Sequence, residues 1–245
     1  MRSVHIDLSK AFIDMNKRFK VYIFDLDDTL YNEREYVNQA LYNVALYIAG
    51  YSGLNADVLY SDMIKYLEED GRGRIFNRII EENKLMEDEN ISVNRLVDVY
   101  RDTKPVLSLY DDAKALIHTL KQDREIRLGI ITDGCSRVQH NKIDGLCITS
   151  IFDKIIVTDD LENGAKPSTI PYHIFLDTYS DVKPWECVYI GDNPSKDFVG
   201  AKALGMYTIR IVREFGDNMK LVVDNELEAD ERIKLLTDIC GGCYE

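Results

Sequence analysis

Two aspartates, Asp25 and Asp27, follow a short apolar run, Val21-Tyr22-Ile23-Phe24. If that run is a strand reaching Asp27, its period of two puts both carboxylates on one side. In an open α/β sheet, ligands collect beyond the carboxyl ends of the strands, where these acids fall. Paired carboxylates there need a counter-charge, and a hard divalent cation such as Mg²⁺ supplies one. One can then act as nucleophile and the other as general acid or base. The stretch Asp25-Leu26-Asp27-Asp28-Thr29-Leu30 also suits a polar turn before a helix. Alone it decides nothing.

Three further strand ends change the balance. Thr132-Asp133-Gly134 follows the run 128–131 and offers a hydroxyl and backbone amides to phosphoryl oxygens. Gly164-Ala165-Lys166-Pro167 places an ammonium near a helix start, although a lone lysine there also reads as a solvated loop residue. Asp192 closes the run 188–190, and Asp197 falls in the following first helical turn, where acids also favour the helix dipole. Asp, Asp, Thr, Lys, Asp and Asp in this order are hard to obtain by chance.

A sheet must hold these groups. The runs Val21–Phe24, 128–131, 155–157, 188–190 and 208–212 read as strands, the first four apolar enough to be covered on both faces. Helical patterns separate the later ones. Asp111 heads one with Ala115, Leu116 and Leu120; Ser168 or Thr169 heads another through Leu176; Ser195 heads a third, ended by Gly205. Residues 227–240 read as a last amphipathic helix. The alternation predicts an α/β fold with a parallel sheet.

Residues 31–104 hold no convincing strand. Val37, Leu41, Val44, Ala45 and Ile48 mark one helix, stopped by Gly50, and Asn55 caps a second that ends near Gly71. Ile75, Phe76, Ile79 and Ile80 mark a third, and Ser92 begins a fourth that stops before Pro105. The expected division is a core of 20–30 and 105–239, a four-helix insertion of 31–104, a lead-in of 1–19, and a mobile tail of 240–245.

With 245 residues, 45% hydrophobic and 30% charged, the chain is expected to be globular. A net charge of −13 disfavours nucleic acid and anionic membrane as partners. No apolar run approaches the ~18 residues of a membrane span. Five cysteines without a framework spacing, and no export signal, suggest reduced thiols in the cytoplasm. Cys240-Gly241-Gly242-Cys243 could be half of a zinc site or a redox pair, but no second ligand pair exists.

The four motifs, Asp25-Leu26-Asp27-Asp28-Thr29, Ile131-Thr132-Asp133-Gly134, Gly164-Ala165-Lys166-Pro167-Ser168 and Gly191-Asp192 through Asp197, resemble those of the haloacid dehalogenase superfamily. The resemblance spans roughly residues 20 to 235. It implies a Rossmann-like sheet with helices on both faces and an inserted helical cap that closes over the active site. It further implies Asp25 as the nucleophile that becomes an aspartyl-phosphate, and Asp27 as general acid, then general base. Mg²⁺ would be held by Asp25, the backbone carbonyl of Asp27 and Asp192, with Asp197 steadying its waters or Lys166. Thr132, Asp133, Gly134 and Lys166 would bind the phosphoryl group, although Asp133 stands where the family commonly has Asn.

The family's dehalogenases lack the second aspartate, so Asp27 favours phosphatase chemistry on a small phosphorylated metabolite. A phosphomutase uses the same two aspartates, and a silent member acting as a binding module is the reading outside catalysis. Arg72 and Arg74, with Arg78, form the basic cluster of an acidic insertion; an arginine there pairs with a second anionic group or simply lies in a solvated turn. Tyr31 and Tyr36 lie where a leaving group would sit, or pack. The first motif is similar both to pyrimidine 5′-nucleotidase-like members and to sugar-phosphate and acylneuraminate-phosphate phosphatases, which leaves the substrate open.

Overall fold

A computed structural model describes residues 19–179 and 181–240. Residues 1–18 of the lead-in and 241–245 of the tail, with Cys243, lie outside the described residues. Among the described residues, six strands form one parallel sheet: β1 (Val21–Phe24), β2 (Arg127–Thr132), β3 (Lys154–Val157), β4 (Cys187–Gly191), β5 (Tyr207–Ile211) and β6 (Glu231–Ile233). Their order is β3-β2-β1-β4-β5-β6. The chain therefore fills one side of β1 first and crosses to the other at β4. The crevice between β1 and β4 is the topological switch point, the favoured ligand position in such sheets.

Among the described residues, eight α-helices accompany the sheet: α1 (Glu33–Ser52), α2 (Ala56–Asp70), α3 (Ile75–Glu82), α4 (Val93–Arg101), α5 (Asp111–Leu120), α6 (Ser136–Gly145), α7 (Ile170–Thr178) and α8 (Asp197–Ala203). Alternation along β1 sorts them into two layers. Tyr22 and Phe24 pack with Leu116 of α5 and Ile143 of α6. Val21 and Ile23 pack with Tyr172 and Phe175 of α7 and Phe198 of α8. The first layer runs on into the inserted helices through Leu41, Met63, Ile79 and Leu96, so cap and sheet share apolar packing.

Several expectations need correction. Helix α1 passes through Gly50 and ends at Ser52, while α8 starts at Asp197 rather than directly after Ser195. Residues 227–240 are not a helix; they give the edge strand β6 and a short 3₁₀ turn, Leu236–Cys240. There, Ile211 pairs with Ile233, and buried Arg210 of β5 binds Glu228 at 2.9 Å. Sheet pairing and that ion pair hold the segment extended against its helical periodicity. The strand β1 ends at Phe24, so its alternation does not reach Asp27. Helix α6 was not expected, because its inward face carries Gln139, Asn141 and Lys142 beside Val138 and Ile143.

Gly129 in β2 shows how tightly the second layer is packed. A Cβ there would lie 2.1 Å from Cε2 of the Phe175 ring. Gly129→Ala is expected to destabilise the fold by about 1–3 kcal/mol through overpacking. The denaturant midpoint measures this; an unchanged midpoint would mean that the ring moves freely.

Candidate active site

All four motifs converge at the carboxyl ends of the strands, around a cavity of about 510 Å³. The backbone N–H of Asp25 donates to Ile190 O at 2.8 Å, so the residue remains pinned to β4 after β1 has ended. Its carboxylate accepts from Lys166 Nζ at 2.6 Å. Lys166 reaches Asp197 Oδ1 at the same distance and the Tyr189 hydroxyl at 3.0 Å. This ammonium is buried, as are both carboxylates it joins. Burial opposes its charge, but Asp197 and Asp25 outweigh burial and hold its pKa well above the lysine norm.

Asp192, at the end of β4, completes an acidic corner. Among the described residues, Asp25, Asp192 and Asp197 form a group whose carboxylate oxygens lie within 4.8 Å of one another. Gly191 makes this possible, since a Cβ there would lie 2.5 Å from Asp197 Oδ2. Burial, then Asp197 and Asp25, push the Asp192 carboxyl up to about 9, while Asn218 donates to it at 2.9 Å. Burial also pushes Asp25 up; Lys166 pulls it back, and Asp197 and Asp27 raise it again. Hard, converging, mutually repelling oxygens at one buried corner fit a divalent cation.

Asp27 points elsewhere. Its Oδ1 accepts from the Tyr31 hydroxyl at 2.6 Å and Lys142 Nζ at 2.7 Å, and its Oδ2 accepts from Gln139 at 2.9 Å. Its carboxylate is thus set apart from the metal-competent corner while both line one cavity. Gln139 also donates to the Thr132 hydroxyl at 2.6 Å, leaving that group its own proton to give. Asp133 accepts from the Lys166 backbone at 3.1 Å and the Thr158 hydroxyl at 2.6 Å, and pairs with Lys196 at 3.3 Å. Burial opposes its charge, but Lys166, Thr158 and Lys196 hold its carboxyl below the ordinary value. Asp133 is therefore a tied loop residue. Gly134 lines the cavity.

The basic cluster divides. Arg72 lines the cavity but is engaged by both oxygens of Glu33 and by Asp217 at 3.0 Å. Arg74 is exposed and stands outside the cavity lining at the start of α3. Arg78 pairs with Glu69, Asp70 and Glu82. Tyr31 is a buried partner of Asp27, whereas Tyr36 lines the cavity and donates to Tyr100 O. Glu33, Gln139, Lys142 and Asn218 are site residues that carried no sequence signal. Two of them sit on the unexpected helix α6.

A buried strand-end carboxylate beside a lysine and a metal-competent acidic corner, on a Rossmann-like sheet, is an arrangement suited to hydrolysis through an attacking aspartate. The sequence pattern of haloacid dehalogenase-like hydrolases matches residues 22–211, and the chain belongs to that family. It is 32% identical over 204 residues to a glyceraldehyde 3-phosphate phosphatase of Methanopyrus kandleri, covering 79% of this chain and 84% of the relative. A HAD phosphatase from Thermococcus onnurineus superposes with a TM-score of 0.56 at 25% identity, covering 91% and 98%. A magnesium-bound HAD-hydrolase from Bacillus subtilis gives 0.61 at 19% identity, covering 91% and 99%. No helix among the described residues is long and apolar enough to cross a membrane.

The acidic corner makes a signed prediction. Between 3.8 and about 9 the folded chain holds a proton on Asp192 that the unfolded chain releases, so stability falls as pH rises through that window. A cation held by these carboxylates would displace that proton. The rise in Tm on adding Mg²⁺ should therefore grow towards the alkaline end of the window, with proton release on binding. A pH-independent rise would contradict the assignment of this corner to a metal.

Proposed function

We propose that the chain is a Mg²⁺-dependent phosphatase of a small phosphorylated metabolite, of the sugar-phosphate or nucleoside monophosphate type, working through an aspartyl-phosphate on Asp25. The observation that carries this reading is the division of labour between the two aspartates. Asp25 faces the buried lysine and the metal-competent corner, whereas Asp27 is held separately by Tyr31, Gln139 and Lys142.

An Asp25 oxygen attacks phosphorus, the bond to the ester oxygen breaks, and Asp27 gives its proton to that oxygen. Asp27, now a carboxylate, takes a proton from water, whose oxygen attacks phosphorus. The bond between phosphorus and Asp25 then breaks to release inorganic phosphate. Thr132 donates a hydrogen bond from its hydroxyl, Lys166 lends its charge, and the loop at Asp133 and Gly134 offers its amides to the phosphoryl oxygens. Mg²⁺ would be held by carboxylates of Asp25 and Asp192 and the carbonyl of Asp27, with Asp197 steadying the site, and when bound it offsets charge on the phosphoryl oxygens. Residues 31–104 act as the lid that keeps bulk water from the site.

Specificity follows from which cations are free. Arg72 is already paired, and Arg74 stands apart. Arg101 lines the cavity, and its guanidinium has no hydrogen bond or ion pair to any described residue, which leaves it open to a polar group of the substrate. The Methanopyrus kandleri relative is named for glyceraldehyde 3-phosphate. Triose phosphates therefore head a test panel that also holds hexose phosphates and nucleoside monophosphates.

Phosphate release by the purified chain should require Mg²⁺ and vanish with a chelator; full activity in EDTA would overturn the metal's part. Asp25→Asn should fold and leave less than about a tenth of wild-type turnover. More than that would favour direct attack by water. Asp27→Asn should lose ~10²–10⁴-fold on an alkyl phosphate and much less on p-nitrophenyl phosphate, whose leaving group needs no proton.

A further inference from the structure

Lys142 is 2% exposed, in the wall of the cavity, and takes part in no bond made or broken in the reaction derived above. An ammonium this deep is costly unless paired and hydrogen-bonded. Its partners are Asp27 Oδ1 at 2.7 Å and Glu33 Oε1 at 3.1 Å, and it stands 4.9 Å from the centre of the Tyr36 ring. Glu33 is itself clasped by Arg72. Lys142 thus keeps an anionic partner even while Asp27 carries a proton. The buried charge is balanced in both halves of the reaction.

The donors around Asp27 can be counted. Tyr31 and Lys142 share Oδ1, and Gln139 occupies Oδ2. Gln139 and Lys142 are three residues apart, neighbours on one face of α6. A carboxylate offers about four acceptor sites, so three donors leave about one open. Rotation of the carboxylate would break at least one of these bonds. The open site therefore keeps a single direction.

We infer that Lys142 is a positioning residue: together with Gln139 and Tyr31 it fixes the Asp27 carboxyl so that its one open site meets the ester's leaving oxygen. This rests on the acid–base role proposed above for Asp27. It differs from a phosphate-binding role, which would raise KM for every ester alike. It differs also from a purely structural role, which would lower activity on all esters by one factor.

The test compares an alkyl phosphate with p-nitrophenyl phosphate on wild type, Lys142→Met, Lys142→Gln and Asp27→Asn, each checked for folding by its thermal transition. In Lys142→Met, Asp27 keeps Tyr31 and Gln139, and Glu33 keeps Arg72, so neither carboxylate is stranded. Lys142→Met should lose about 10²-fold in kcat on the alkyl ester, the order expected of a misplaced group, and about tenfold less on the aryl ester. KM should stay within about twofold for both, since ground-state binding is not removed. Lys142→Gln, which restores one donor, should recover part of the alkyl loss, and carries the comparison if the Met variant does not fold. Equal losses on both esters, or a raised KM with kcat kept, would overturn the inference. If Asp27→Asn discriminates between the esters and the folded Lys142 variants do not, positioning by Lys142 falls while the phosphatase reading stands. If Asp27→Asn loses equally on both, the acid–base role falls and the inference with it.

Discussion

The rest of the site depends on one ammonium. Lys166 Nζ, from the loop before α7, lies between Asp25 after β1 and Asp197 at the head of α8, and touches the Tyr189 hydroxyl on β4. Without it, two buried carboxylates would face each other at the switch point with no cation between them. Removing one member of such a group typically costs about 3–5 kcal/mol, because the remaining charge is stranded. The same contact sets direction. Tyr172 donates to Asp197 O at 2.8 Å, and the bare Gly191 lets the Asp197 carboxylate lie against the end of β4.

Around that centre, the two helical layers have different tasks. The layer of α7 and α8 supports the lysine and Asp197 from below, through Tyr172, Phe175 and Phe198. The layer of α5 and α6 continues into the inserted helices, and α6 turns Gln139 and Lys142 towards Asp27. Asp25 is thus held from one face of the sheet and Asp27 from the other. Residues after β5 close the circle: Asn218 donates to Asp192, and the Asp217 backbone donates to Asp28 at 3.1 Å. Burial, opposed by the amides of Glu33 and Asp217, leaves the Asp28 carboxyl at about 6.

The legible part of the site was the part located at punctuation. Asp25 and Asp192 each follow an apolar strand, Thr132 ends one, and Lys166 and Asp197 each precede or open a helix, so type and position can be read together. The parallel sheet and the four inserted helices were legible for the same reason: their apolar periods are strong. Helix α6 was not, because the groups it buries include Gln139, Asn141 and Lys142, and polar residues facing inward erase the period. Arg72 was visible as a charge, but its partners are 39 and 145 residues away and carry no local signal. The terminal stretch misled because sheet pairing to β5 overrode a helical pattern, an outcome that only tertiary contacts decide.

The ion pairs that join the inserted helices to the rest of the chain fall into two kinds. Arg72–Asp217 has side-chain exposures of 48% and 69%, and Arg137–Asp98 of 43% and 50%. Pairs so exposed contribute ~0–1 kcal/mol each and weaken as salt rises. Lys142–Glu33, at 3% and 15%, is largely buried and is screened much less. Ionic strength therefore acts more on the rim of the insertion than on its root. The mouth of the cavity loosens first, by an amount the surrounding electrolyte sets, while the groups nearest the reacting atoms keep their geometry.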